Sequence, residues 1–228
     1  MYINGNKIIT FCLGVVLVVG ILCMPYETVS HDIDNVDTSS PIYDKPFDMS
    51  QYAFNEEQDL QLPELPTGCE ATALGTLLRY NGINVTKFEV ADAMPKSTDG
   101  EFVYSFWGDP YSSTGWSCMA PCVVNTANMF LDTDEKLAVE YTGTDLGGLP
   151  LPSAVWVTID LQDPIYTNYE SCGYKLFGNP HCVVVKSIED GYVNVSDPLV
   201  GETSYPLPQF EYVYIALGMQ AVYIENVK

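Results

Sequence analysis

"ELPTGCEATALGTLLRYNG", residues 64–82, is the stretch on which the fold turns. Pro66 and Gly68 break any earlier regular structure. From Cys69 onward the small or apolar residues Ala71, Leu74, Leu77 and Leu78 recur at the spacing of one helical face, and Asn81-Gly82 can close the C-terminal end. The reading is a helix with a cysteine in its first turn. There the positive end of the helix dipole and the unpaired main-chain N–H groups favour thiolate over thiol. Glu70 is an anion next door, yet successive helix residues point about 100° apart, so the two need not touch. A cysteine at a helix start is also often just a small buried residue. The catalytic reading therefore depends on what else can reach the thiol.

Outward from this helix, a second, shorter one is expected over residues 87–93. A long loop rich in Gly, Ser and Asp follows ("KSTDGEFVYSFWGDPYSSTGWSCM"), and then a helix in "APCVVNTANMFL". The second half changes period. "SAVWVTIDL", "HCVVVKSIEDGYVNVSDP" and "QAVYIENV" are β-branched and aromatic runs bounded by Gly, Pro and Asp, and they read as strands. Asp190-Gly191 is a hairpin dipeptide inside the middle one. Helices first and an antiparallel sheet afterwards is the pattern of an α+β domain.

A nucleophilic cysteine needs a base, and the chain has two histidines. His31 lies in a polar stretch far from the helix, which leaves His181 at the mouth of a strand. If the Glu189–Asp190 region turns in two residues, the ladder sets His181 opposite Pro198, one place from Asp197. A carboxylate beside an imidazole fixes its tautomer and supports the imidazolium that forms when the thiol gives up its proton. For the oxyanion, the Cys69 main-chain N–H is one donor and a side-chain amide upstream would be the second. Gln61 and Gln58 are the candidates. Gln61 is preferred because Pro63 and Pro66 stiffen the chain between it and Cys69. Trp107, Trp116 and Tyr111, in the long loop, are candidates to line a substrate groove, with burial under the loop as the alternative.

Nine Lys and Arg against 30 Asp and Glu give a net charge of −21, a field that repels phosphate backbones and argues against nucleic-acid binding. Lys7 precedes "IITFCLGVVLVVGILCM", 17 uncharged and mostly apolar residues over 8–24, the pattern of an export signal or an uncleaved membrane anchor. Residues 25–58 are acidic, polar and proline-punctuated, and read as a flexible spacer before a domain over 59–228. The domain is thus expected outside the cell, secreted or anchored, and as a monomer. Setting aside Cys12, Cys23 and Cys69, four of the seven cysteines remain: Cys118, Cys122, Cys172 and Cys182. In an exported domain they suggest two disulfides with three possible connectivities. A zinc site is the rival, but no tight Cys-x-x-Cys pair exists and His181 would have to serve twice, so no metal or other cofactor is expected. Cys182, adjacent to His181, should point to the opposite face of its strand, away from the catalytic side. The Asn84 and Asn194 sequons are read as chance matches.

Taken together, "QLPELPTGCEATALGTLLRYNGINVTKFEVADAMPK", "FWGDPYSSTGW", "AVWVTIDL", "HCVVVKSIEDGYVNVSDPLVG" and "FEYVYIALGMQAVYI" make the chain resemble the bacteriocin-processing-peptidase-like group, a branch of the papain-like cysteine peptidases. The resemblance spans nearly all of residues 61–225 in the expected order. It implies a papain-like α+β fold in which a nucleophile helix packs on an antiparallel sheet, with Cys69 as nucleophile, His181 as general base and then acid, and Asp197 as orienting residue. One departure stands out: the glutamine of the leader-processing relatives lies closer to its cysteine than Gln61 does. The chain also lacks the transporter portion to which leader-processing domains are fused, so their substrate does not carry over.

The expectation is an exported thiol hydrolase that cleaves an amide in a peptide or protein substrate through an acyl-enzyme. Cell-wall amide cleavage or acyl transfer to an amine would use the same residues. A binding module with an inert thiol is the alternative from another class, and a structural envelope protein with Cys69 in a disulfide is a third.

Overall fold

The computed structural model describes residues 60–227. The expected export segment (8–24) and the expected spacer (25–58) lie outside these residues.

The first helix, α1 (Cys69–Tyr80), begins at Cys69 and ends at Asn81, and α2 (Lys87–Ala93) follows with a capping box in which Thr86 and Glu89 satisfy each other's main-chain N–H groups. Strands β1 (Lys96–Ser97) and β2 (Phe106–Trp107) form a two-residue parallel bridge within the long loop. Then come α3 (Ala120–Asn128), β3 (Lys136–Glu140), β4 (Ser153–Thr158), the hairpin β5 (Tyr166–Ser171) and β6 (Tyr174–Phe177), β7 (Pro180–Glu189), β8 (Tyr192–Asp197), β9 (Gly201–Pro206), α4 (Leu207–Ala216) and β10 (Ala221–Asn226). Six strands form one sheet in the order β3-β10-β4-β7-β8-β9, with every neighbouring pair antiparallel. The α+β reading, with the helix that begins at Cys69 packed on an antiparallel sheet, holds.

The sheet separates two cores, because successive side chains on a strand face opposite ways. Cys182 and Val184 of β7 and Trp156 of β4 pack with α1, α2 and α3. Val183 and Val185 of β7, Val193 and Val195 of β8, and Val155 and Val157 of β4 pack with Phe210, Val213 and Tyr214 of α4 on the other face. Helix α4 carries the strand-like run Tyr212-Val213-Tyr214-Ile215, yet it is helical: Pro208 sits in its first turn, and Phe210, Val213, Tyr214 and Leu217 recur at 3 and 4 residues on the buried side.

The β7–β8 hairpin turns at Asp190-Gly191, both with positive φ (52° and 80°), as a tight primed turn requires. Its register differs from the expected one. Glu189 pairs with Tyr192, a shift between Val185 and Ser187 follows, and beyond it Val184 pairs with Ser196. The two disulfides are not formed either: all five described cysteines are unbridged. Cys118, Cys122 and Cys182 are packed into the apolar core as small hydrophobes, whereas Cys172 is exposed at the tip of the β5–β6 hairpin. Among the described residues no helix is long and apolar enough to cross a membrane, and no group of His, Cys, Asp and Glu side chains stands where it could hold a metal ion.

Candidate active site

The approach to Cys69 is held at several points. Gly68 precedes it, and a Cβ there would come within 2.7 Å of the Leu65 Cβ, so only glycine lets the chain turn this closely into the helix. Upstream, Lys87 of α2 donates to the Leu60 carbonyl at 2.5 Å and pairs with Glu64 at 3.0 Å, which fastens residues 60–64 to the helical layer. The Gln61 N–H donates to the Pro198 carbonyl at 2.8 Å, joining this segment to the loop after β8.

A cleft of about 280 Å³ opens at the end of the sheet where β7 begins and β4 and β8 finish. Cys69, His181 and Gln61 all line it, with Trp116, Pro180 and Leu199 among the other walls. Its size is just below the usual range for ligand pockets, roughly 300–1,000 Å³, and suits the residues around a single amide bond.

His181 and Asp197 share the α4 face of the sheet. The imidazole Nε2 lies 2.8 Å from Asp197 Oδ1, with both side chains buried. Since a carboxylate can only accept, Nε2 carries the hydrogen and, in the neutral ring, Nδ1 is left as an acceptor. Asp197 is itself held by the Leu199 N–H at 2.8 Å on Oδ1 and by the Tyr205 hydroxyl at 2.9 Å on Oδ2. Burial pushes the Asp197 carboxyl up, but His181 and these donors outweigh it and hold it below its ordinary 3.8. Burial likewise pulls His181 down, and the Asp197 charge, its hydrogen bond and the more distant Glu70 and Asp160 outweigh that, leaving the imidazole above its ordinary 6.5. Asp197 stays in reach of His181 despite the altered register, and Tyr205 is a supporting residue that nothing in the sequence pattern marked.

The thiol has a different neighbourhood. Cys69 donates to Glu70 Oε2 at 3.1 Å, contrary to the expectation that adjacent helix residues would keep apart. The reason is that Glu70 is fully buried: its Oε1 accepts from the Ser117 hydroxyl and from the Cys118 N–H at 3.2 Å, so the carboxylate is drawn inward beside the sulfur. Burial raises the Cys69 thiol well above its ordinary range, and Glu70 and Cys182 raise it further, against a main-chain hydrogen bond from Cys182 that lowers it. Cys182 does face away from His181, but it is not turned from the catalytic side. It packs in the same core as Cys69, because the candidate nucleophile and base belong to opposite faces of the sheet and meet at its end. Among the described residues no hydrogen bond joins Cys69 to His181.

Gln61 is buried at 4% exposure. Its Nε2 donates to the Leu65 and Pro66 carbonyls at a long 3.3 Å, and Oε1 has no partner among the described residues. Of the three proposed groove aromatics, Trp116 lines the cleft, and its indole N–H donates to the Phe177 carbonyl at 3.1 Å. Trp107 stacks behind it with ring centroids 4.8 Å apart, and Tyr169 of β5 meets both edge-on. Tyr111 is not part of this wall; its hydroxyl donates to Asp92 of α2 at 2.9 Å.

The family model described as "Peptidase_C39 like family" matches residues 49–222, beginning within the stretch read from the sequence as spacer. No curated protein matches the chain. Among solved structures, a C39-like peptidase from Bacillus anthracis is similar at 27% identity and a TM-score of 0.64, over 74% of this chain and 92% of that one. The peptidase domain of Streptococcus ComA, a bifunctional ABC transporter involved in quorum sensing, is similar at 12% identity and a TM-score of 0.43, over 69% of this chain and 90% of that one.

Proposed function

Because the chain belongs to the Peptidase_C39-like family, we propose that it is a cysteine peptidase in which Cys69 is the nucleophile, His181 the general base and acid, and Asp197 the residue that orients the imidazole. The observation that carries this reading is the buried His181–Asp197 pair, 2.8 Å apart, at the rim of a cleft that Cys69 also lines. Nδ1 of His181 takes the thiol proton, the sulfur bonds to the substrate carbonyl carbon, and the carbonyl π electrons move onto oxygen. That oxyanion is met by the Cys69 main-chain N–H and, after the amide turns from its long contacts, by Gln61 Nε2. As the C–N bond breaks, the imidazolium returns its proton to the leaving amine. The thioester is then hydrolysed by a water that His181 deprotonates. The substrate class is a peptide or protein, the working form is a monomer, and residues 8–24 direct the domain outside the cell, as a signal or as an anchor.

Hydrolysis of a mixed peptide library, read by mass spectrometry, tests the reading: the wild-type chain should generate new termini, and Cys69→Ala and His181→Ala should generate none. The bond between Cys69 and Glu70 favours a second reading, a binding module whose thiol is inert. In that case neither the wild type nor the variants would cleave anything.

A further inference from the structure

Glu70 is a fully buried carboxylate in contact with the candidate nucleophile, and the proposed reaction does not use it. Among the described residues no ion pair joins it to a cation. Its partners are instead neutral donors from two parts of the chain: its own main-chain N–H and the Cys69 thiol on α1, and the Ser117 hydroxyl and Cys118 N–H on the segment leading into α3. A buried carboxylate of this kind is retained only if its hydrogen bonds are satisfied, and here one of them is satisfied by the atom that is to react. The thiol cannot donate to Glu70 and to His181 Nδ1 at once, since it carries one hydrogen.

We propose that Glu70 is a positioning residue that holds Cys69 as a protonated thiol in the empty site, with Ser117 setting how strongly it does so. The inference rests on the reading of Cys69 as nucleophile. The ionisable groups facing the sulfur fit this role. On α1 there is Glu70. On β7, Cys182 faces it directly and His181 reaches the cleft from the other side of the strand, with Asp197 of β8 and the more distant Asp160 acting on the imidazole. On the segment before α3, Cys118 lies against Glu70 and feels its charge. Burial is the largest influence keeping the proton on sulfur, and of the groups in contact with the thiol Glu70 is the carboxylate, whose charge comes next. Substrate binding would then have to turn the S–H bond from Glu70 to the imidazole before attack.

Two substitutions should act in opposite directions. Glu70→Gln removes the negative charge and lets an amide N–H point at the sulfur, which favours thiolate. Ser117→Ala removes a donor from the carboxylate, leaves it more basic and strengthens its hold on the thiol proton. The test follows iodoacetamide labelling of Cys69 in the full chain across pH 5 to 10, resolved by peptide mass spectrometry from the other cysteines. The midpoint of the rate profile should fall by about one pH unit or more in Glu70→Gln and rise in Ser117→Ala. A folded Glu70→Gln whose midpoint does not move overturns the inference. So do two shifts of the same sign, which is what mere loosening of the helix start would produce. If Glu70→Gln does not fold, Ser117→Ala decides alone: an upward shift supports the inference and an unmoved midpoint overturns it. Failure of the parent reading looks different, since Cys69 of the wild type would then show no titrating reactivity that His181→Ala alters.

Discussion

Two buried carboxylates stand behind the cleft, Glu70 on Cys69 and Asp197 on His181, and they behave in opposite ways. Asp197 faces an imidazole that can carry a positive charge; despite burial it is held below its ordinary value, with every oxygen satisfied. Glu70 faces only neutral donors; burial dominates and pushes it above its ordinary 4.5 in spite of the hydrogen bonds from Ser117, its own main chain, Cys69 and Cys118. Depth does not separate them, since both are almost inaccessible. What separates them is whether the neighbour can become a cation. In the proposed mechanism one carboxylate stabilises charge on the base, and the other keeps charge off the nucleophile.

The contrast can be broken most sharply at the reacting atoms. Cys69→Ala should abolish peptide hydrolysis to background, and His181→Ala should lower kcat by about 10³-fold or more. Next in size is Asp197→Asn, which keeps the shape but lets the amide donate to Nε2 and so favours the wrong tautomer. A fall in kcat of at least about 100-fold is expected.

The same variant sharpens the comparison through stability. Asp197, with its pKa lowered in the fold, adds stability that is present above 3.8 and lost as pH falls. His181, with its pKa raised, adds stability that is fully present below 6.5 and lost as pH rises through its folded value. Urea unfolding should therefore show a contribution from the pair that is largest between about pH 4 and 6.5 and is absent in Asp197→Asn. Glu70 has the opposite sign to Asp197. Its raised pKa favours the fold at low pH, and that advantage fades as pH rises through the folded value. The stability of Glu70→Gln relative to wild type should tilt toward the variant on going from pH 4 to pH 8.

A smaller effect is expected at Tyr205, whose hydroxyl donates to Asp197 at 2.9 Å. Tyr205→Phe removes a hydrogen bond to a charged acceptor, worth about 1.5–3 kcal/mol. It should lower the denaturation midpoint and reduce kcat several-fold, with KM little changed.

Helix α1 and its cysteine could be read from the sequence because the signal is local: a glycine where the chain approaches itself, then apolar residues at helical spacing. The same holds for α2 and for the turn at Asp190-Gly191, where a capping box and a hairpin dipeptide act within a few residues. Helix α4 was hidden because Tyr212, Val213, Tyr214 and Ile215 carry strand propensity, and only the buried spacing of Phe210, Val213 and Tyr214 against the sheet overrides it. The irregularity near Val185 could not be foreseen either, since a register shift reflects packing on both faces at once. At the site, His181 and Asp197 could be paired through a ladder, whereas the Glu70–Ser117 contact joins residues 47 apart through tertiary packing alone. For that reason the direction of Glu70 could not be derived from its place on the helix.

The most direct measurement is of the covalent intermediate. The chain is mixed with a peptide nitrophenyl ester, quenched in acid within seconds, digested and mapped by mass spectrometry. The account predicts an acyl adduct on Cys69 that is absent in Cys69→Ala and forms far more slowly in His181→Ala. An adduct on another residue, or one on Cys69 that forms equally fast without His181, would contradict it.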